Sequence, residues 1–207
     1  DFDDCLKMLM TDIEEEYKFK AGRAVLTDHS RHVTEKDKKR PLIYLSGFER
    51  YDADGVEVFE KMKEICAEYG YEAISPLDHA PGVMDTDSDN PYMKAMNLFD
   101  RFQQHVRNCD IIIANLNDYR GYEINNDVAF ECGMGFELGK KLYGYMDNTD
   151  KLTNRIPSLG ADREYRDQTG SNVEDFDYPA NLMFGSSMKI FEGKFESIIK
   201  KVIEDVQ

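Results

Sequence analysis

The run from Asn115 to Met146, NLNDYRGYEINNDVAFECGMGFELGKKLYGYM, holds the chemistry of this chain. It places a carboxylate, Glu131, where a strand-end loop is expected to turn into a helix, and closes that helix with a short aromatic strand. A carboxylate at a helix N-terminus meets the positive end of the macrodipole and unpaired amides, so it is expected to stay ionised and to act as a positioned nucleophile. An enzyme is therefore the leading reading. Glu137 competes, because ECG and ELG both read as Glu-x-Gly. However, Glu137 falls in the last turn of the predicted helix, and six residues rotate a helix by roughly 240°, so the two side chains do not share a pocket wall. Glu131 is favoured, with Glu137 left as a solvated or interface residue.

Several elements must position that carboxylate. Leu42 to Ser46, LIYLS, is a short apolar run bounded by Gly47 and suits a buried parallel strand. A helix follows, with Val56, Phe59, Met62, Ile65 and Cys66 expected on one face. Tyr71 to Ser75 reads as a strand ending at Pro76, followed by a loop rich in Asp, Pro and Gly from Leu77 to Pro91. A helix over about 92–107 is expected to turn Met96, Phe99, Phe102 and Val106 inward, and Asp110 to Leu116, DIIIANL, is the least ambiguous strand. The alternation predicts an α/β fold: a doubly wound, Rossmann or flavodoxin-like parallel sheet with helices on both faces. In such sheets ligands bind at the carboxyl ends of strands, so the loops after Ser46, Ser75 and Asn115 converge on one site.

Outside this core, residues 1–40 read as an N-terminal helical arm and linker, with Leu6, Leu9, Met10, Ile13 and Tyr17 at helical spacing. Residues 41–207 read as the α/β domain. Within it, about 147–178 is polar and irregular, a long insertion or lid, and the chain is expected to end in a helix from about Glu192 to Val206.

The 207 residues suit one principal core, and a formal charge of −15 argues against a nucleic-acid polymer or an anionic membrane as partner. Four scattered cysteines without metal-ligand spacing fit reduced, cytoplasmic usage. No apolar run reaches the roughly 18 to 20 residues of a membrane span. The histidines His29, His32, His79 and His105 form no ligand pattern, so no metal and no cofactor is expected. The turn SGFERYDADG has few glycines and several acids, unlike a phosphate loop, although Arg50 and Arg120 are cations able to meet a phosphate.

The segment YRGYEINNDVAFECG, followed by LGKKLYGY, resembles the signature of nucleoside 2-deoxyribosyltransferases, in which an aromatic-Arg-Gly loop leads to Asp-x-Gly-Thr-x-x-Glu-x-Gly and a Gly-Lys precedes the next strand. LIYLSG resembles the family's opening strand, SPLD at Ser75 to Asp78 its second strand end, and VEDFDYPANLM at Val173 to Met183 its C-terminal element. The resemblance spans about Leu42 to Met183 and departs at two places. The aspartate six positions before the nucleophile is Asn125 here, with Asp127-Val128 in place of Gly-Thr, and a second polar position falls on Phe102, with Asp100 two residues earlier on a different face.

The resemblance implies an enzyme of nucleotide salvage that moves 2-deoxyribose between nucleobases through a covalent glycosyl intermediate on Glu131. Its two-step logic is that of a retaining glycosidase, with a second base instead of water as acceptor. Tyr44 would orient the nucleophile, Asp127 would take over the proton-shuttling role that the amide of Asn125 cannot perform, and Asp127 or Asn125 would contact sugar or base. Asn181 would reach a neighbouring subunit's site, making a homo-oligomer. Gly47, Phe48, Asp78, Asp100 and Arg120 complete the candidate substrate contacts. On their own types, Asp78 reads as a turn residue, Phe48 as packing and Asn181 as a helix cap. The partners implied are deoxynucleosides and free nucleobases. Two alternatives stay open: an N-glycoside hydrolase of (deoxy)nucleosides or nucleoside monophosphates, and a non-catalytic nucleoside-binding module of the same fold.

Overall fold

A computed structural model describes residues 41–80, 89–159 and 165–206. The expected N-terminal helical arm lies outside the described residues, as does most of the loop from Leu77 to Pro91.

In chain order the elements are β1 (Leu42–Ser46), a 3-10 turn (Phe48–Tyr51), α1 (Gly55–Glu68), β2 (Glu72–Ile74), α2 (Pro91–Asn108), β3 (Ile111–Asn115), α3 (Asn126–Glu137), β4 (Lys141–Met146), α4 (Leu152–Arg155), α5 (Leu182–Ser187), β5 (Lys189–Glu192) and α6 (Phe195–Val206). The strands form a parallel sheet in the order β2-β1-β3-β4-β5. The order reverses between β1 and β3, and such a switch point opens a crevice at the carboxyl edge of the sheet. The doubly wound architecture read from the alternating pattern is the one observed.

Side chains alternate across a strand, so each strand feeds two cores. Ile43 and Leu45 of β1, with Ile111, Ile113, Tyr143 and Tyr145, pack under Phe59 and Cys66 of α1 and the stripe Phe195, Ile198, Ile199, Val202 and Ile203 of α6. Tyr44, Ile112, Ala114, Leu142 and Met146 face the opposite way, against Val106 of α2, Val128 and Cys132 of α3 and Phe184 of α5. The three β3 isoleucines are fully buried because helices cover both faces.

Some sequence expectations are corrected. KIFE, residues Lys189–Glu192, is a fifth strand at the sheet edge, and the last helix starts at Phe195 rather than near Glu192. Val56 points to solvent, because α1 turns Gly55, Phe59 and Cys66 to the core instead. Phe99 is exposed on α2, which buries only His105 and Val106 fully. The segment 147–178 carries α4 and two isolated bridges, Ser158 with Asp167 and Arg166 with Asn172. No described helix is long and apolar enough to cross a membrane.

Candidate active site

The α3 helix begins where it does because Asn125 caps it. The Asn125 Oδ1 accepts from the backbone amides of Asp127 at 2.9 Å and Val128 at 3.4 Å. Glu131 is the sixth helical residue, not a terminal one. It lies beyond the first turn, where the macrodipole acts, so the expected dipole stabilisation does not operate. Side chains hold it instead. Tyr44 and Ser46, two residues apart on β1, share one strand face. Tyr44 OH donates to Glu131 Oε1 at 2.8 Å, and Ser46 Oγ donates to Oε2 at 2.6 Å.

Glu131 is only 5% exposed. Burial pushes its carboxyl up to about 7, although the hydrogen bonds from Ser46 and Tyr44 and the charge of Arg50 pull the other way. The expectation that Glu131 simply stays ionised is therefore corrected: near neutrality it is poised between its two forms. Tyr44 is itself buried, which together with the Glu131 carboxylate raises its hydroxyl well above the ordinary range and keeps it a donor. Its ring stacks on His105 with centroids 5.8 Å apart. His105 Nε2 lies 3.0 Å from the backbone carbonyl oxygen of Asp78, an acceptor that requires the proton on Nε2.

A second cluster stands beside the first. Arg50 Nη2 and Tyr51 OH both donate to Asp127 Oδ2, and Arg50 Nη2 also donates to Tyr51 OH at 2.5 Å. The guanidinium carbon lies 4.5 Å from the ring centroids of both Tyr51 and Phe102. Burial opposes the charge on Asp127, but the bonds from Tyr51 and Arg50 prevail and hold its carboxyl below the usual range. Asp127 is thus held in its ionised form, with Oδ2 accepting from both donors.

Glu131 and Asp127 open onto a cavity of about 330 Å³ between α2 and α3, lined also by Phe99, Phe102, Phe130 and Met134. Two carboxylates at one end of an aromatic slot can meet a polar group joined to a flat apolar one. No group of three or more His, Cys, Asp or Glu residues among the described residues could hold a metal.

The remaining candidates lie as follows. Asn125 spends its side chain on its own helix and is buried. Asp78 closes the turn after β2, accepting from Ser75 N at 2.7 Å and Lys63 Nζ at 2.6 Å. Its carboxyl sits below the usual range because those bonds outweigh desolvation. A Cβ on Gly47 would meet Oε2 of Glu49, which would have to shift to make room. Glu49 is itself buried at the strand ends, its Oε1 accepting from Asn115 Nδ2 at 2.7 Å and Tyr145 OH at 3.1 Å. Phe48 packs on Tyr119, and Arg120, with φ of 52°, lies over the same ring. Asp100 lies on α2, shortly before Phe102 and Gln103, and does not line the Glu131 cavity.

Asn181 caps α5 through Met183 N and Phe184 N. It lines a different cavity, of about 450 Å³, with Asp118, Arg155 and Glu174. Within one chain it does not join Glu131. Ser46 was missed in sequence, and strand alternation was the signal that could have found it. The pairing of Arg50 with Asp127 had no such signal.

Residues 43–183 match the family model described as nucleoside 2-deoxyribosyltransferase. An uncharacterized protein of Schizosaccharomyces pombe is 26% identical over 131 residues, 63% of this chain and 58% of that protein. The chain thus spans little more than half of that relative's length. A 2-deoxyribosyltransferase from Leishmania mexicana superposes with a TM-score of 0.59 at 24% identity, covering 79% of this chain and 97% of the other. A 2-deoxyribosyltransferase from Bacillus psychrosaccharolyticus gives 0.47 at 15% identity, over 76% and 89% of the two chains.

Proposed function

The chain belongs to the nucleoside 2-deoxyribosyltransferase family, and from that premise we propose that it transfers 2-deoxyribose between nucleobases through a covalent ester on Glu131. Family members act on nucleosides and nucleobases, so small molecules are the partners to expect. The observation that carries the proposal is the clamping of both Glu131 oxygens by Tyr44 and Ser46 at the mouth of an aromatic-lined cavity. A nucleophile needs a fixed line of attack, and two hydroxyl donors on one rigid strand supply it.

In this reading the ionised Glu131 attacks the anomeric carbon of a deoxynucleoside as the bond to the base breaks. The departing base keeps the bonding pair and takes a proton from solvent, and the acceptor base later gives one up. The sugar becomes an ester of Glu131, and a second base reverses the step. Phe99, Phe102 and Phe130 offer flat apolar contact to a base, and Asp127 accepts a hydrogen bond from the substrate. The reading also assigns Asn181 to the site of a neighbouring subunit in a homo-oligomer, consistent with its separation from the Glu131 cavity of its own chain.

Incubating the protein with a 2′-deoxynucleoside, with and without a second free base, and separating the products by chromatography tests this. A new nucleoside formed only with the second base is the expected result. Base released regardless of acceptor would assign hydrolysis instead, and absence of turnover with binding retained would leave a binding module.

A further inference from the structure

We propose that Arg50 is a positioning residue of this site, which fixes Asp127 by a single oxygen and holds a positive charge beside Glu131. The inference deepens the transfer reading and rests on Glu131 being the group whose ionisation matters.

The geometry is specific. The guanidinium is held between the rings of Tyr51 and Phe102, each 4.5 Å from its carbon, and its side chain is largely buried. A planar cation so placed loses little freedom when it forms a hydrogen bond. Arg50 and Tyr51 both use Asp127 Oδ2, so Oδ1 has no hydrogen-bond partner in the chain among the described residues. Asp127 lines the cavity, and that oxygen is left for a ligand. The 3-10 turn that carries Arg50 directly follows Ser46 and Gly47, so the strand that grips Glu131 also delivers the cation.

The charges that face Glu131 are few. From β1 come the hydroxyls of Tyr44 and Ser46, from α3 itself Asp127 and the thiol of Cys132, from the end of α2 the thiol of Cys109, and from the 3-10 turn Arg50. His105 meets Tyr44 rather than Glu131, and burial lowers its basicity. The two thiols are driven up by burial and stay neutral. Among the described residues, Arg50 is therefore the cation that offsets both the burial of Glu131 and the negative charge of Asp127.

The test is direct titration of Glu131 in the full chain, labelled with glutamate carrying ¹³C at the side-chain carboxyl, with the resonance identified by its loss in Glu131→Gln. Arg50→Met should move the Glu131 midpoint upward by about one pH unit, whereas Arg50→Lys, which keeps the charge, should leave it within a few tenths. Asp127→Asn should move it downward. An unchanged midpoint in folded Arg50→Met, or an equal shift in Arg50→Lys, would overturn the proposal. Should Arg50→Met not fold, Arg50→Gln decides by the same reading: an upward move upholds the proposal, and no move overturns it. None of these measurements needs turnover, so a protein that transfers no deoxyribose can still show the shift. In an active protein, the acid limb of kcat/KM should follow the same midpoints.

Discussion

In the proposed reaction Glu131 meets opposing demands, because a nucleophile must be charged and a side chain this deep resists charge. Its carboxyl, pushed up to about 7, makes activity pH-dependent in a defined direction: kcat/KM should rise as pH increases through about 7 and level off above it. A profile flat between pH 5 and 8 would remove Glu131 from the attacking role. Tyr44→Phe deletes the donor to Oε1, which should lower kcat by roughly tenfold or more and move that acid limb upward. Glu131→Ala should cost about 10⁴-fold or more, while Glu137→Ala, on the exposed end of α3, should keep most activity. Residue by residue, the hydrogen bond from Tyr44 to Glu131 was legible in the sequence, through the resemblance. Arg50 escaped because its pairing with Asp127 spans 77 positions and depends on a 3-10 turn that has no periodic signature.

Among the elements, α3 depends on its cap. Asn125→Ala removes the acceptor of two orphan amides and should destabilise the protein by about 1 kcal/mol, visible as a lowered denaturation midpoint with an unchanged slope, while Asn125→Asp should hold both. The cap also explains the error over Glu131. NNDVAFE offers two consecutive asparagines and an aspartate as possible caps, and choosing the first puts the glutamate a turn and a half inside the helix. The strands β1, β3 and β4 were legible because each is apolar and bounded by Gly, Asp or Asn. KIFE was not: four residues at a sheet edge, half exposed and next to a helical stripe, give too short a strand pattern to separate from the helix expected from about Glu192. The exposure of Val56 and Phe99 shows the limit of helical periodicity, which gives a face but not where along the helix the core ends.

For the whole molecule, the buried acid sets a balance between stability and ionisation. Glu131 binds its proton more tightly folded than unfolded, so the unfolded chain holds fewer protons between about pH 4.5 and 7 and stability falls as pH rises through that window. The loss is about 3 kcal/mol at most, and Glu131→Gln, which never ionises, should escape it and melt at higher temperature than the parent at pH 8. If Asn181 serves a neighbour, two inactive variants should complement: mixing Glu131→Ala with Asn181→Ala after dissociation and reassembly should restore activity that neither shows alone. Persistent inactivity of the mixture, with mixed oligomers demonstrated, would place each site within one chain.

The depth of Glu131 has one more implication. A sugar ester on its oxygen carries no charge, so the protein interior accommodates the acylal-like adduct more readily than the free anion. Above pH 7 the empty protein is then the strained form and the loaded one the relaxed form. A poor acceptor base would leave the sugar resting on the enzyme, and a slowly released fluorinated sugar should register as a thermal upshift that grows with pH.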